Sequence, residues 1–357
     1  MKKKLFYLLI TCMMVTSVLS AQVNVNTYGV SPRQAEVDTL DMFDLAYNGL
    51  QNVGTNTKVY IKGMGDVALT ASSWTLLSPA GSASALAAPT VVDTSTEMTS
   101  FIPDVTGTYH VIFADGATAD TVTINAGTFV GATAGTPSCS ACHSGVYEKW
   151  EGTGHATALS QQLKGEGSSH FQGFCVQCHS TGNDPNADNM GFDDRDFVFP
   201  DTLSAEAYAG VLSNSPEAMK LAEVQCEACH GPGSEHNIPI TDSKMVSSLD
   251  AKNCAICHDS GTHYVIPDQW EKSGHDATEF DGRGFHGGHA IGAFVGSAGG
   301  RGGCSVCHSG SGYVQWVKEG KPVSSLGLPG STSIIPEPTV ITCAVCHDPH
   351  DLSLIHI

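Results

Sequence analysis

Six copies of one pattern, Cys-x-x-Cys-His, constrain this chain more than anything else in it. They are Cys139/Cys142/His143, Cys175/Cys178/His179, Cys226/Cys229/His230, Cys254/Cys257/His258, Cys304/Cys307/His308 and Cys343/Cys346/His347. Every cysteine except Cys12 belongs to one of them. A random chain of this composition would contain about 0.02 copies. Chance is therefore excluded, and the chemistry must explain both the thiol spacing and the adjacent imidazole.

Disulfides would use the thiols but leave the histidines without a reason. Zinc sites built from paired Cys-x-x-Cys units do not require a histidine after every second cysteine. Haem attachment explains all three residues. Two thiols three positions apart reach the two vinyl groups of one porphyrin, and the following histidine lies under the iron as its proximal ligand. The expectation is six covalently attached c-type haems, with the twelve motif cysteines as anchors and six motif histidines on iron.

The other histidines supply the second axial positions. The chain has 16 histidines. Besides the six proximal ones, His110 reads as a strand residue of the N-terminal region, and His356 lies in a tail set aside below. The remaining eight are His155, His170, His236, His263, His275, His286, His289 and His350. Six irons need at most six distal ligands, so a fully bis-histidine set is within supply, which favours electron transfer. An internal repeat orders the candidates. Trp150-Glu151-Gly152-Thr153-Gly154-His155 follows the first motif, and Trp270-Glu271-Lys272-Ser273-Gly274-His275 follows the fourth. Each half then carries a His-bearing segment (His170; His286 and His289), a second motif, and a third motif with a histidine just beyond it (His236; His350). The halves form two triplets, 139–236 and 254–350. His155, His275, His236, His350, His170, His286 and His289 are the distal candidates, with His263 behind them. His350 lies three residues beyond His347, a reach of at most about 11 Å. That is too short to pass around a porphyrin, so His350 must serve a different haem, and His236 is expected to do the same.

The remainder of the chain reads differently. Lys2–Lys4, the apolar run Leu5–Leu19 and the small residues Ser17, Ser20 and Ala21 form an export signal, cut after Ser20 or Ala21. The run is too short to span a bilayer, so no mature transmembrane segment is expected. Residues 22–132 contain no cysteine and alternate short β-rich runs with turn residues, including Thr57–Ile61, Ser73–Leu77, Thr90–Val92, Thr108–Phe113 and Thr121–Asn125. An all-β sandwich is expected there, followed by a linker at 133–138 within a Gly- and Thr-rich stretch. The cytochrome region, 139–351, is expected to be mainly short helices and loops with little regular secondary structure. Ser144–Gly165 and Ser204–Ala228 have helical composition. The codons for Leu352–Ile357 match the end of a library adapter, so the native chain is expected to continue beyond Asp351. Net charge is −19. That argues against nucleic acid and for redox partners with basic docking surfaces.

The stretch Pro103–Val111 resembles a late strand of bacterial Ig-like domains. Cys226–His236, the two Trp-x-x-(Thr/Ser)-Gly-His segments and Cys343–His350 resemble multihaem c-type cytochromes. The group resembled is the tetrahaem cytochrome of ammonia oxidation and its relatives, including the haem cores of nitrite reductase and hydroxylamine oxidoreductase. That resemblance implies closely packed haems and electron transfer outside the inner membrane. The absence of Cys-x-x-Cys-Lys departs from the catalytic haem of the nitrite reductases. The leading expectation is an exported, periplasmic or cell-surface hexahaem electron carrier with no catalytic residues. The alternatives are a haem enzyme acting on a small nitrogen or sulfur compound at one open iron, and a self-assembling subunit of an extracellular filament.

Overall fold

The computed structural model describes residues 22–29, 51–236, 245, 249–260, 264–271, 273, 310–314, 316 and 341–351. Its N-terminal region is mostly β-strand: β1 (Val23–Tyr28), β2 (Asn52–Gly54), β3 (Val59–Gly65), β4 (Ser72–Leu77), β5 (Thr90–Val91), β6 (Thr96–Phe101), β7 (Gly107–Asp115) and β8 (Thr118–Gly127). These strands form two four-stranded sheets, ordered β1-β3-β6-β5 and β2-β8-β7-β4, consistent with a β-sandwich. All pairings within them are antiparallel except β2 with β8.

The period of two in β7 explains its place. Tyr109, Val111 and Phe113 are fully buried, and the intervening Thr108, His110 and Ile112 are only partly covered. Their inner face meets Val25, Val59, Ile61 and Phe101 of the opposite sheet. Gly63 on β3 makes room for the Phe113 ring, since a Cβ there would lie 2.7 Å from the ring. Trp74 packs on the same ring, with centroids 4.5 Å apart. The indole Nε1 of Trp74 donates to Glu97 at 2.9 Å, tying β4 of one sheet to β6 of the other. The Tyr109 hydroxyl donates to the Val105 carbonyl at 3.0 Å and holds the turn entering β7.

Beyond β8 the chain does not leave the molecule's surface as a free tether. Phe129 enters a second apolar cluster with Leu159, Leu163, Phe171, Val176, Phe192, Val211 and Leu221. Residues 132–137 then form a small antiparallel ladder. The region that follows consists of short helices joined by loops: Ser144–Trp150, Ser160–Leu163, Val176–His179, Ala205–Asn214, Pro216–Met219, Cys226–His230, Lys252–His258, Ile266–Glu271, Gly310–Tyr313 and Cys343–Cys346. The longest of these has local reasons for its start. Ser204 caps Ala205–Asn214 by accepting from the Ala207 N–H at 3.1 Å, and Pro216 opens the next helix at a position that needs no N–H.

Among the described residues no helix is long and apolar enough to cross a membrane. Phe113→Ala should destabilise the sandwich by about 3–5 kcal/mol, through lost burial and the cavity left against Gly63 and Trp74. Denaturant unfolding followed by far-UV circular dichroism would measure the loss.

Candidate functional site

Each described Cys-x-x-Cys motif is built on a helical turn. Three examples are Cys226–His230, Lys252–His258 and Cys343–Cys346. A turn places residues i and i+3 on one face, so both thiols of a motif point to the same side. The His347 N–H closes the turn on the Cys343 carbonyl at 2.8 Å, and the His143 N–H does the same on Cys139 at 2.9 Å. The ten described cysteines are all free thiols.

Cys142 differs from its motif partner in exposure. It is exposed, whereas its motif partner Cys139 is half-buried. The reason lies in the local chain. The tight turn of the first motif, Ser138–Ala141, ends one residue before Cys142, whose N–H closes it on the Cys139 carbonyl at 3.2 Å. Residues 141–146 are exposed throughout, so nothing among the described residues covers the Cys142 thiol. Cys139 adjoins Cys226, and Cys142 lies within this exposed stretch.

The structure brings histidines from distant parts of the chain into pairs. His143 faces His236 with ring centroids 6.4 Å apart, His155 faces His258 at 6.2 Å, and His230 faces His350 at 6.2 Å. Each pair joins one motif histidine to one of the distal candidates. With a metal–imidazole bond of about 2 Å, two rings on opposite faces of one ion have centroids roughly 6.3 Å apart. Burial pushes both His155 and His258 below the usual imidazole range, with neighbouring histidines adding to it. The neutral ring thus favoured is the form that binds a metal.

Thiols of different motifs also adjoin. Cys139 and Cys226, Cys178 and Cys257, and Cys254 and Cys343 lie side by side in pairs. The first and third of these pairs occupy equivalent places in the two triplets. The repeat's tryptophans behave alike as well. Trp150 Nε1 donates to the Val224 carbonyl at 3.0 Å, two residues before Cys226. Trp270 Nε1 donates to the Ile341 carbonyl at 2.7 Å, two residues before Cys343. The hydroxyls of Thr153 and Ser273 each return to the carbonyl of the tryptophan three residues earlier. Trp-x-x-(Thr/Ser) is therefore a clamp that fastens the first motif of a triplet to the third.

The remaining candidates are placed differently. His179 donates from Nδ1 to the Ala158 carbonyl at 2.6 Å, which leaves Nε2 to accept a metal, and the Phe171 ring stands edge-on to it at 5.0 Å. His170 is exposed, and no second histidine ring meets it among the described residues. His347 is exposed at the end of its helix. His350 lies 3.7 Å from Asp348, a carboxylate placed to orient it. The fifth motif (Cys304, Cys307, His308) and His263, His275, His286 and His289 lie outside the described residues.

Residues 138–196, which carry the first two motifs, match the family model described as cytochrome c554 and c-prime. That match supports a c-type cytochrome. It implies covalently bound c-type haem and an electron-carrying role. A search of the curated proteins returns no match. One observation on the chain's own residues fits such a group independently. His236 Nδ1 is buried without a hydrogen-bond partner among the described residues, as a metal-binding nitrogen would be.

Two glutamates in the cytochrome region gave no signal in sequence reading. Glu227, inside the third motif, is 2% exposed and accepts from the N–H groups of Val130, Gly131 and Gly233 at 2.7–2.9 Å. Glu223 accepts from Leu159 and Ser160 N–H at 2.7 and 3.1 Å, steadying the turn whose Ala158 carbonyl holds His179.

Burial pushes the Glu223 carboxyl above its ordinary value, against the pull of its hydrogen bonds. The folded state thus binds this proton more tightly than the unfolded chain. Its contribution is present at acid pH and is lost as pH rises from the usual carboxylate range through the raised value. Glu223→Gln should flatten that fall by up to about 1.4 kcal/mol per pH unit, read from denaturant midpoints across a pH series.

Proposed function

We propose that this chain is an exported hexahaem c-type cytochrome that carries electrons along closely packed, mostly bis-histidine haems. The three imidazole pairs at 6.2–6.4 Å carry the reading. In it, His143 and His236 hold the first haem, His230 and His350 the third, and His258 and His155 the fourth. The paired thiols at Cys139/Cys226, Cys178/Cys257 and Cys254/Cys343 make thioether anchors of different haems neighbours. Anchors that adjoin suit electron hops between the first and third haems and along the second, fourth and sixth.

Bound haem supplies the one-electron chemistry; the chain supplies ligands, spacing and burial, which set the potentials. Covalent attachment by this motif is chemistry of exported proteins, in keeping with the basic and apolar N-terminus. The excess of acidic residues, 36 against 17 basic, favours basic redox partners. The β-sandwich in front is read as Ig-like.

The alternative reading is a haem enzyme that acts on a small nitrogen or sulfur compound at one open iron. A visible spectrum of the dithionite-reduced protein before and after carbon monoxide separates the readings. No change identifies a pure carrier, and a shift of about one haem's worth of Soret absorbance puts the enzyme reading first.

The ligand assignments make a sharper prediction. His155→Ala and His350→Ala should each add about one haem equivalent to the carbon-monoxide-reactive fraction while six haems stay attached. His170→Ala, at an exposed position, should add none. Unchanged spectra in the first two variants would dismiss these pairings.

A further inference from the structure

The β-sandwich sits directly against the third haem motif, and the contacts are specific. Asn52 on β2 is 1% exposed. Its side-chain Nδ2 donates to the carbonyls of His230 at 2.7 Å and Pro232 at 3.1 Å, and lies 3.1 Å from Met245 Sδ. Its backbone carbonyl presses on Gly231, where an added Cβ would meet that oxygen at 1.8 Å. Gly231 also has φ +75°, so glycine is required there on both counts. Just past β8, the Thr128 N–H donates to Ser234 Oγ at 2.8 Å. Val130 and Gly131 donate to Glu227. The segment Cys226–His236 is thereby gripped at both ends and in the middle by residues 52 and 128–131.

That segment holds one member of each of two imidazole pairs: His230, facing His350, and His236, facing His143. A shift of the segment would move both rings at once. We propose that the sandwich positions this segment, through Asn52 and the chain at Thr128–Gly131 that receives Glu227, and so sets the axial ligation of the first and third haems. The sandwich is then part of the redox centre's frame, not a tethered docking module. Asn52 and Glu227 are positioning residues in this scheme. The inference rests on the haem reading given above.

The test uses the full-length, haem-loaded protein with Asn52→Asp, Glu227→Gln and the milder Ser234→Ala. Asn52→Asp keeps the shape but turns two donated hydrogen bonds into oxygen–oxygen contacts. Ile61→Val, in the sandwich core and away from this segment, is the control for simple destabilisation. Haem content is measured by the alkaline pyridine spectrum, and ligation by low-temperature electron paramagnetic resonance and carbon monoxide difference spectra. The expected result is unchanged haem content, altered low-spin signals from one or two haems, and about one or two haem equivalents of added carbon monoxide reactivity in Asn52→Asp or Glu227→Gln. Ser234→Ala should give a smaller change of the same kind, and it decides the matter if the other two variants fail to fold. Spectra that match the unaltered protein in the folded variants would overturn the proposal. So would an equal change in Ile61→Val. Haem content far below six in the unaltered protein would instead remove the haem reading itself.

Discussion

The imidazole pairs are the constraint on which the rest depends, because two of the three cross between the triplets. His155 lies in the first triplet and faces His258 in the second; His350 lies in the second and faces His230 in the first. Under the proposed ligation, each half supplies a ligand to the other, and neither half is complete alone. The third pair, His143 with His236, stays within the first triplet. This is the arrangement expected at an end. The first motif of the first triplet has no preceding triplet to draw on, and His236 has no preceding third motif to serve. Ligand exchange at the junction and closure at the end follow from one rule. Its cost is cooperativity, since the halves must assemble together around their haems, as small metal domains fold around a metal.

The tryptophan clamps make the exchange geometrically workable. Trp150 and Trp270 each bind a carbonyl two residues ahead of the third motif of their own triplet. The thiol pairs Cys139/Cys226 and Cys254/Cys343 are the counterpart of the same closure. A triplet is thus a local frame with its first and third motifs fixed side by side. His350, three residues past His347, has too little chain to return to its own haem and must reach a neighbour, and His236, six past His230, pairs with His143 in the same way.

Much of this was legible in the sequence because covalent haem attachment demands adjacent residues. The motif is local, so six copies can be read without any tertiary information, and the tryptophan repeat survives as a fixed spacing. Strand β7 was equally open, since Tyr109, Val111 and Phe113 alternate with outward residues. Strand β6, Thr96–Phe101, was not. It is buried along its whole length yet reads Thr-Glu-Met-Thr-Ser-Phe, with no apolar period. Its burial comes from its central place between β3 and β5 and from the Glu97 contact with Trp74. β2 is three residues long and exists because β8 and the Cys226–His236 segment lie beside it. The different exposure of Cys139 and Cys142 was hidden too, because both read as the same motif and only tertiary packing covers one of them. Which histidine faces which was also unreadable, as those partners are set by tertiary approach over up to 120 residues of separation (His230 to His350).

The polar residues missed in sequence reading share one physical task. Chain wrapped around a porphyrin meets an apolar face that offers its backbone no hydrogen bonds, and buried backbone groups cannot be left unpaired without a cost of about 1–3 kcal/mol each. The short helices here satisfy few of their own ends. The deficit is met from outside the motifs. Glu227 takes three N–H groups and Glu223 two, while Asn52, Trp150 and Trp270 donate to carbonyls beside motif residues. Carboxylates suit the first task, since one side chain accepts several donors, and amide and indole N–H groups suit the second. A sheet edge and the strand end just beyond it bring such groups in a rigid array. The short helices that follow offer no such array, and the β-sandwich supplies one beside the third motif.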